Sequence, residues 1–285
     1  LREGLAFDRC QVAVVTNIGS GDHLGLNYIS TVEDLAVLKR VIVRNVDPEG
    51  MAVLNASDPL VVEMAAKAPS PVTFFAVDPR TPALATHRAQ GKRVLFVEEG
   101  HIVAVEGKFN ITLPLKDIPI TRNGVLKFQV ENVMAALAAG WALNLSWSSM
   151  AQALSQFVSD AQNVPGRFNL FDYKGAQVVV DFGHNADAIK AIVNAIEVFP
   201  AKRRSVVICG TGDRRDDDLR ALTRNIGHAF DDVILFEDAC QRGRADGEVI
   251  ALLRQGLEGA TRVSHIEDVY GEFKAIDRAL EKLSP

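Results

Sequence analysis

The sequence predicts an α/β protein of two domains, each built on a mostly parallel sheet, and three observations carry that prediction. Short β-branched or apolar runs alternate with helical periods almost throughout, the pattern of strand–helix–strand units. The stretch from Arg93 to Ile120 breaks this rhythm with Gly100 and Gly107, and reads as a small antiparallel meander. At Asn163-Val164-Pro165-Gly166 the pattern stops and restarts, which puts the boundary between domains 1–164 and 165–285.

In chain order, Val12–Val15 is the first strand, and Thr31–Val46 carries a helical period with Thr31 as N-cap. Pro48-Glu49-Gly50 makes a turn into a second strand, Met51–Leu54. Asn55-Ala56-Ser57-Asp58-Pro59 opens a helix over Leu60–Lys67, and Val72–Val77 is the third strand. After the meander, alanine-rich Phe128–Leu143 reads as a buried helix, followed by a helix over Ser148–Val158 behind a serine-rich cap. The second domain begins with a hairpin at Phe168–Gln177. Strands Val178–Phe182, Ser205–Cys209, Val233–Phe236 and Arg262–His265 then alternate with helices Ala186–Val198, Leu219–Phe230, Gly247–Leu257 and Val269–Leu280. Its logic is similar to a Rossmann fold.

Bulk properties narrow the function. At 285 residues there is room for two cores, and 48% hydrophobic with 24% charged residues is ordinary for a globular chain. A net charge of −5 gives no general pull toward nucleic acid or an anionic membrane. Cys10, Cys209 and Cys240 are odd in number and far apart, which argues against structural zinc or a disulfide framework and fits a reducing cytoplasm. No signal peptide or membrane-spanning run is visible. The first residue is Leu1 rather than Met, which implies a piece of something longer.

The chemistry gathers where predicted strands end, the place where ligands bind in open α/β sheets. The first exit reads Thr16-Asn17-Ile18-Gly19-Ser20-Gly21-Asp22-His23-Leu24. Asp22 and His23 suit a metal ion, directly or through water, or else serve as a loop-capping carboxylate and a surface imidazole. The phosphate-gripping Gly-x-x-x-x-Gly-Lys-Thr loop that usually accompanies such a site does not occur in the sequence. Lys39 follows on the next helix. Asn132 interrupts the alanine-rich helix beside Glu131, either reading a purine edge or bonding a neighbouring loop. Arg167, in Pro165-Gly166-Arg167-Phe168, stands at an interdomain hinge and suits a phosphate or ribose hydroxyl, or a salt bridge between domains.

Asp181-Phe182-Gly183-His184-Asn185-Ala186-Asp187 repeats the strand-exit logic at a helix start, where Asn185 and Asp187 also suit capping. Gly210-Thr211-Gly212-Asp213-Arg214-Arg215 ends the next strand, and Glu237-Asp238 ends a third, ahead of Gln241-Arg242-Gly243-Arg244-Ala245-Asp246-Gly247-Glu248. Acidic residues there suit a cationic substrate or form a solvated rim.

As an ordered set, Thr16-Asn17-Ile18, Asp22-His23-Leu24, Asn132, Pro165-Gly166-Arg167, Asp181 with His184-Asn185, and Gly212-Asp213-Arg214 resemble the Mur ligase family, over essentially the whole chain. The resemblance implies a central ATPase-type domain, here without its phosphate loop, followed by a Rossmann-like C-terminal domain. It implies a ligase that uses ATP and Mg²⁺ to join an amino acid to a carboxylate through an acyl phosphate. Within the family the motifs are most similar to a member that adds arginine to the β-carboxyl of a poly-aspartate backbone and is expected to assemble into oligomers.

By the same resemblance His23 would hold magnesium, and Asn17 belongs to the nucleotide side. Asn132 would contact adenine, and Arg167 with Asp181 the ribose and phosphates. His184, Asn185, Asp213 and Arg214 would face ATP and the incoming amino acid. Lys39 stands near the place where many members carry a carbamylated lysine, although its spacing from His23 is longer here. The missing loop predicts that this chain alone does not use ATP at a useful rate, and makes the missing N-terminal region a partner. Two alternatives remain: another ligase of the family, of folylpolyglutamate or peptidoglycan-precursor type, and a non-catalytic binding module that lost the phosphate loop.

Overall fold

Short apolar strands and helices, four of the latter started by a side-chain N-cap among the described residues, build each half of the chain separately. The computed structural model describes residues 4–21, 24, 25 and 28–283. They fall into two units, one of residues 4–21 and 28–158, the other of residues 24, 25 and 159–283.

In the first unit, β1 (Cys10–Val15) pairs in parallel with β2 (Val46–Asn55), between which lie α1 (Val32–Lys39) and α2 (Val41–Arg44). Thr31 starts α1 with a capping box: its hydroxyl accepts from the Asp34 N–H at 3.1 Å, and the Asp34 carboxylate accepts from the Thr31 N–H at 3.1 Å. The single helix expected over Thr31–Val46 is therefore two, broken at Arg40. β-branched Val41, Ile42 and Val43 favour an early stop, and the Asn45 amide donates back to the Val41 carbonyl at 2.7 Å before Val46 enters β2.

The expected turn at Pro48-Glu49-Gly50 is instead an irregularity inside β2. Cys10 pairs with Val46 and Val12 with Met51, so β2 carries extra residues there. Gly50 is required at that point, because a Cβ would lie 2.2 Å from the Gln11 carbonyl oxygen.

Asp58 then caps α3 (Pro59–Met64), with Pro59 in its first turn. β3 (Val72–Phe75) and β4 (Val94–Glu98) continue the parallel order, with α4 (Pro82–Ala89) between them, a helix absent from the sequence reading. β5 (His101–Glu106) and β6 (Phe109–Pro114) turn the edge antiparallel, so the expected meander is the far side of one six-stranded sheet of order β1-β2-β3-β4-β5-β6. The alanine-rich α5 (Lys127–Ala142) packs on β1 to β4, and α6 (Trp147–Gln156) packs on α5. Small side chains let α5 lie close to the sheet. Phe75, Leu95, Met134 and Leu137 are buried between them, each contributing about 1.5–3 kcal/mol relative to exposure.

In the second unit, β7 (Asn169–Tyr173) and β8 (Ala176–Val180) form one hairpin, where a hairpin at Phe168–Gln177 and a separate strand at Val178–Phe182 were expected. Lys174 and Gly175 both have positive φ, 50° and 80°, the backbone of a two-residue turn matched to strand twist. α7 (Ala186–Ile196) leads to β9 (Ser205–Ile208), α8 (Asp216–Arg224), β10 (Asp232–Glu237), α9 (Glu248–Gly256), β11 (His265–Tyr270) and α10 (Glu272–Glu281). The three strands form a parallel sheet of order β11-β10-β9.

Every residue of β10 is buried, and its side chains alternate. Val233 and Leu235 join Leu219, Val249 and Leu253 in one core, while Ile234 and Phe236 pack with Ala275. α8 begins at Asp216 rather than Leu219 because three aspartates suit its first turn, and it ends well before Phe230. β11 lies later than Arg262–His265. Its register, Asp232 with His265 through Glu237 with Tyr270, uses the alternating run from His265, and Gly271 then opens α10. The mostly parallel α/β architecture of both units is as expected from sequence.

Candidate functional site

The first strand exit is shaped by a residue that the sequence reading used only as a helix opener. Asp58 accepts from the Leu60 and Val61 N–H groups at 3.0 and 3.3 Å through one oxygen. Through the other it accepts from the Ile18 and Gly19 N–H groups at 2.7 and 3.0 Å. One carboxylate thus ties the loop after β1 to the start of α3, a charge-assisted arrangement. The signal was the Ser-Asp-Pro helix opening; the second set of partners, forty residues upstream, has no local signature. Ile18 is buried, while Thr16 and Asn17 are exposed, with the Thr16 hydroxyl donating to the Asn17 side-chain oxygen at 3.0 Å. Asp22 and His23 lie outside the described residues.

Lys39 closes α1 in its last turn, where a cation complements the helix dipole. Asn132 lies on the exposed side of α5, not buried, and its amide donates to the Gln129 side-chain oxygen at 3.2 Å. Beside it, burial raises the Glu131 carboxyl above its ordinary value.

In the second unit, the residues around Arg167 and Asp181 come together. Asp181 accepts from the Phe168 N–H at 2.8 Å and from the Gly183 N–H at 2.6 Å, so its carboxylate fixes the turn that carries Arg167. Arg167 is exposed, with its guanidinium 5.3 Å from the Phe182 ring centroid. The His184 ring stands 5.0 Å from the same Phe182 ring. Asn185 caps α7, accepting from the Ala188 N–H at 2.9 Å.

Past β9, Asp213 accepts from Arg242 at 3.0 Å. Burial alone would raise the Asp213 carboxyl; the Thr211 hydroxyl and Arg242 outweigh it and hold the group below its ordinary value. Arg214 is buried at 8% exposure, whereas the Arg242 side chain is 53% exposed. The cation presented beside Asp213 is therefore Arg242. The run from Gln241 to Glu248 carries no local signal for Arg242 or Arg244, because their partners lie about thirty residues earlier.

Among the described residues no three His, Cys, Asp or Glu side chains converge in a way that could hold a metal ion. Taken unit by unit, the exposed Asn132 side chain of the first offers one amide donor and one acceptor, and the exposed Arg167 of the second offers a guanidinium fork.

The comparisons with known proteins follow this division. A Mur ligase middle domain matches residues 4–140, and the Mur ligase glutamate ligase domain matches residues 166–285. A cyanophycin synthetase of Synechocystis is 36% identical over 284 residues, which is 99% of this chain and 32% of that protein. The chain thus spans about a third of the length of the curated relatives it matches first. Among solved structures, MurF from Acinetobacter baumannii gives a TM-score of 0.64 at 16% identity, covering 95% of this chain and 60% of that one. Folylpolyglutamate synthase from Mycobacterium tuberculosis, complexed with ADP and AMPPCP, gives 0.62 at 20% identity, covering 96% and 57%. Among the described residues no helix is long and apolar enough to cross a membrane.

Proposed function

Because the chain belongs to the Mur ligase family, whose middle and C-terminal domains it carries, we propose that it forms amide bonds as part of an ATP-dependent acid–amino-acid ligase. The specific reading is addition of arginine to the β-carboxyl of a polyaspartate-type acceptor. The observation that carries it is 36% identity to a cyanophycin synthetase along nearly the whole chain. ATP, when bound with Mg²⁺, supplies the phosphoryl group that activates the acceptor. The acceptor carboxylate oxygen attacks the γ-phosphorus and ADP leaves. The α-amine of the amino acid then attacks the acyl carbon, phosphate leaves, and the amine gives up a proton.

In this reading Asn17 and Asn132 hold the nucleotide's polar edges, while Arg167 orients ribose and phosphate with its turn fixed by Asp181. His23 would hold magnesium, Lys39 would help to bind a second metal ion as a carbamylated lysine, and His184 would face ATP and the incoming amino acid. Asn185, Asp213 and Arg214 belong to the side that receives the amino acid, where Arg242 adds an exposed cation.

The test uses the full natural chain that contains this sequence, with ATP, Mg²⁺, labelled arginine and an aspartate-polymer primer. ATP-dependent incorporation of label into polymer, with one ADP per arginine, is expected. Parallel arms with glutamate plus a folate acceptor, and with diaminopimelate plus a muramyl peptide, distinguish the other ligase types. Absence of ADP formation in all arms would sink the ligase reading in favour of a non-catalytic binding module.

A further inference from the structure

Two loops at the carboxyl ends of β9 and β10 are joined by one side chain. Arg244 donates from Nε to the Gly212 carbonyl at 2.8 Å and from Nη2 to the Arg214 carbonyl at 2.7 Å. It therefore grips the main chain on both sides of Asp213. The same guanidinium reaches Asp216 at 2.8 Å and Glu248 at 2.5 Å, so four acceptors surround a side chain only 15% exposed. The two backbones also touch: a Cβ on Gly212 would lie 2.0 Å from the Gln241 carbonyl oxygen. At the far end of the second loop, buried Glu237 accepts from the Gly247 N–H at 2.7 Å, so that loop is held where it meets α9 as well.

The helices and sheet around these loops have their own support. Leu219, Val249 and Leu253 are fully buried against β10 and bring α8 and α9 together without Arg244. What Arg244 adds is an ionic link between Asp216 and Glu248, the first residues of α8 and α9, and the placement of the Gly212–Arg214 main chain, with it the pairing of Asp213 with exposed Arg242. A planar guanidinium with donors in a fixed fork can hold two carbonyls and two carboxylates at once; an ammonium cannot hold that geometry.

We propose that Arg244 is a positioning residue, which fixes the main chain around Asp213 so that Asp213 and Arg242 meet the incoming amino acid in one arrangement. This rests on the ligase reading above. Recognition groups need placing to within roughly half an ångström, and misplacement by about 1 Å costs on the order of a hundredfold.

The test compares Arg244→Lys and Arg244→Gln with wild type in the full natural chain. Hydrogen–deuterium exchange should speed up over residues 210–216 and stay unchanged in the β10 core. In steady-state kinetics the KM for the amino acid should rise about tenfold or more while the KM for ATP stays within about twofold. Unchanged exchange over 210–216 in both variants overturns the proposal, and so does an equal rise in both KM values, which marks a general structural role. If wild type makes no amide at all, the ligase reading fails, while the exchange measurement still decides whether Arg244 holds this loop. Arg244→Lys retains the charge and guards against a variant that does not fold.

Discussion

Replacing Asp58 by alanine removes four hydrogen bonds to backbone N–H groups, and their unequal surroundings set the expected cost. The two bonds to Leu60 and Val61 are a helix cap, and loss of such a cap costs about 1 kcal/mol. Of the two loop bonds, the one from Gly19 opens onto solvent, so water replaces the carboxylate with little loss. The Ile18 N–H is different, because that residue is 5% exposed, and a buried donor left without an acceptor costs about 1–3 kcal/mol. Asp58→Ala should therefore destabilise the first unit by about 2–4 kcal/mol, or roughly 5–15 °C in Tm.

The assay is built into the sequence, since its two tryptophans, Trp141 and Trp147, both lie in α5 and α6 of the first unit. Urea unfolding followed by tryptophan fluorescence reads that unit alone. Asp58→Ser separates the two contributions: a serine hydroxyl can still cap α3 but is too short to span both partners. It should lose the Ile18 contribution and keep the cap. A serine variant as stable as wild type, or an alanine variant within about 0.5 kcal/mol of it, would refute the claim that this carboxylate ties the loop to the helix.

Two further outcomes are expected. Gly50→Ala sets a methyl 2.2 Å from the Gln11 carbonyl oxygen and should lower the same fluorescence midpoint by about 1–3 kcal/mol, through backbone displacement between β1 and β2. Glu267, which accepts from Lys282 and Arg278 and has His265 at 3.6 Å, is held at about 2 against an ordinary value of 4.5. Its folded value is depressed, so its contribution to stability is complete above about pH 4.5 and is lost as pH falls toward 2. An NMR titration should find its midpoint near 2 in wild type and displaced upward in Lys282→Ala.

How much of this was legible in the sequence depended on the distance over which each feature is decided. Thr31 as a cap, the meander from Arg93 and the buried alanine-rich helix rest on neighbours within a few residues, and they read directly. The late start of β11 at His265 did not, because its register is set by pairing with β10, thirty residues earlier. α4 carried a readable start, with Pro82 in its first turn followed by Ala83, Leu84 and Ala85, but its eight residues are too short for a long helical period. Its stability comes from Leu84 and His87 buried on the sheet, with the His87 ring bonded to the Val72 carbonyl at 2.8 Å. The same rule holds at the candidate site. Asn185 as a cap was readable, whereas Asp58 and Arg244 owe their roles to partners about forty and thirty residues away. Asn132 faces away from the core on α5, and its amide meets Gln129 one turn earlier on the same helix rather than a neighbouring loop.

The strand order of the first sheet has a consequence for how that unit acquires its structure. Each strand pairs only with its immediate predecessor and successor, β1 through β6 without a single exchange of order. The closures differ in length, from Val12 with Met51 and Ala52 with Val72 in the parallel part to Glu98 with His101 in the antiparallel part, so the hairpin edge has the lowest entropy cost to form. α5, the helix that covers β1 to β4, comes after all six strands. In a chain emerging from its amino-terminal side these six strands are made before the helix that covers four of them. Until Lys127–Ala142 has emerged, the sheet face that α5 covers stands open, and transiently exposed apolar surface of that kind favours aggregation.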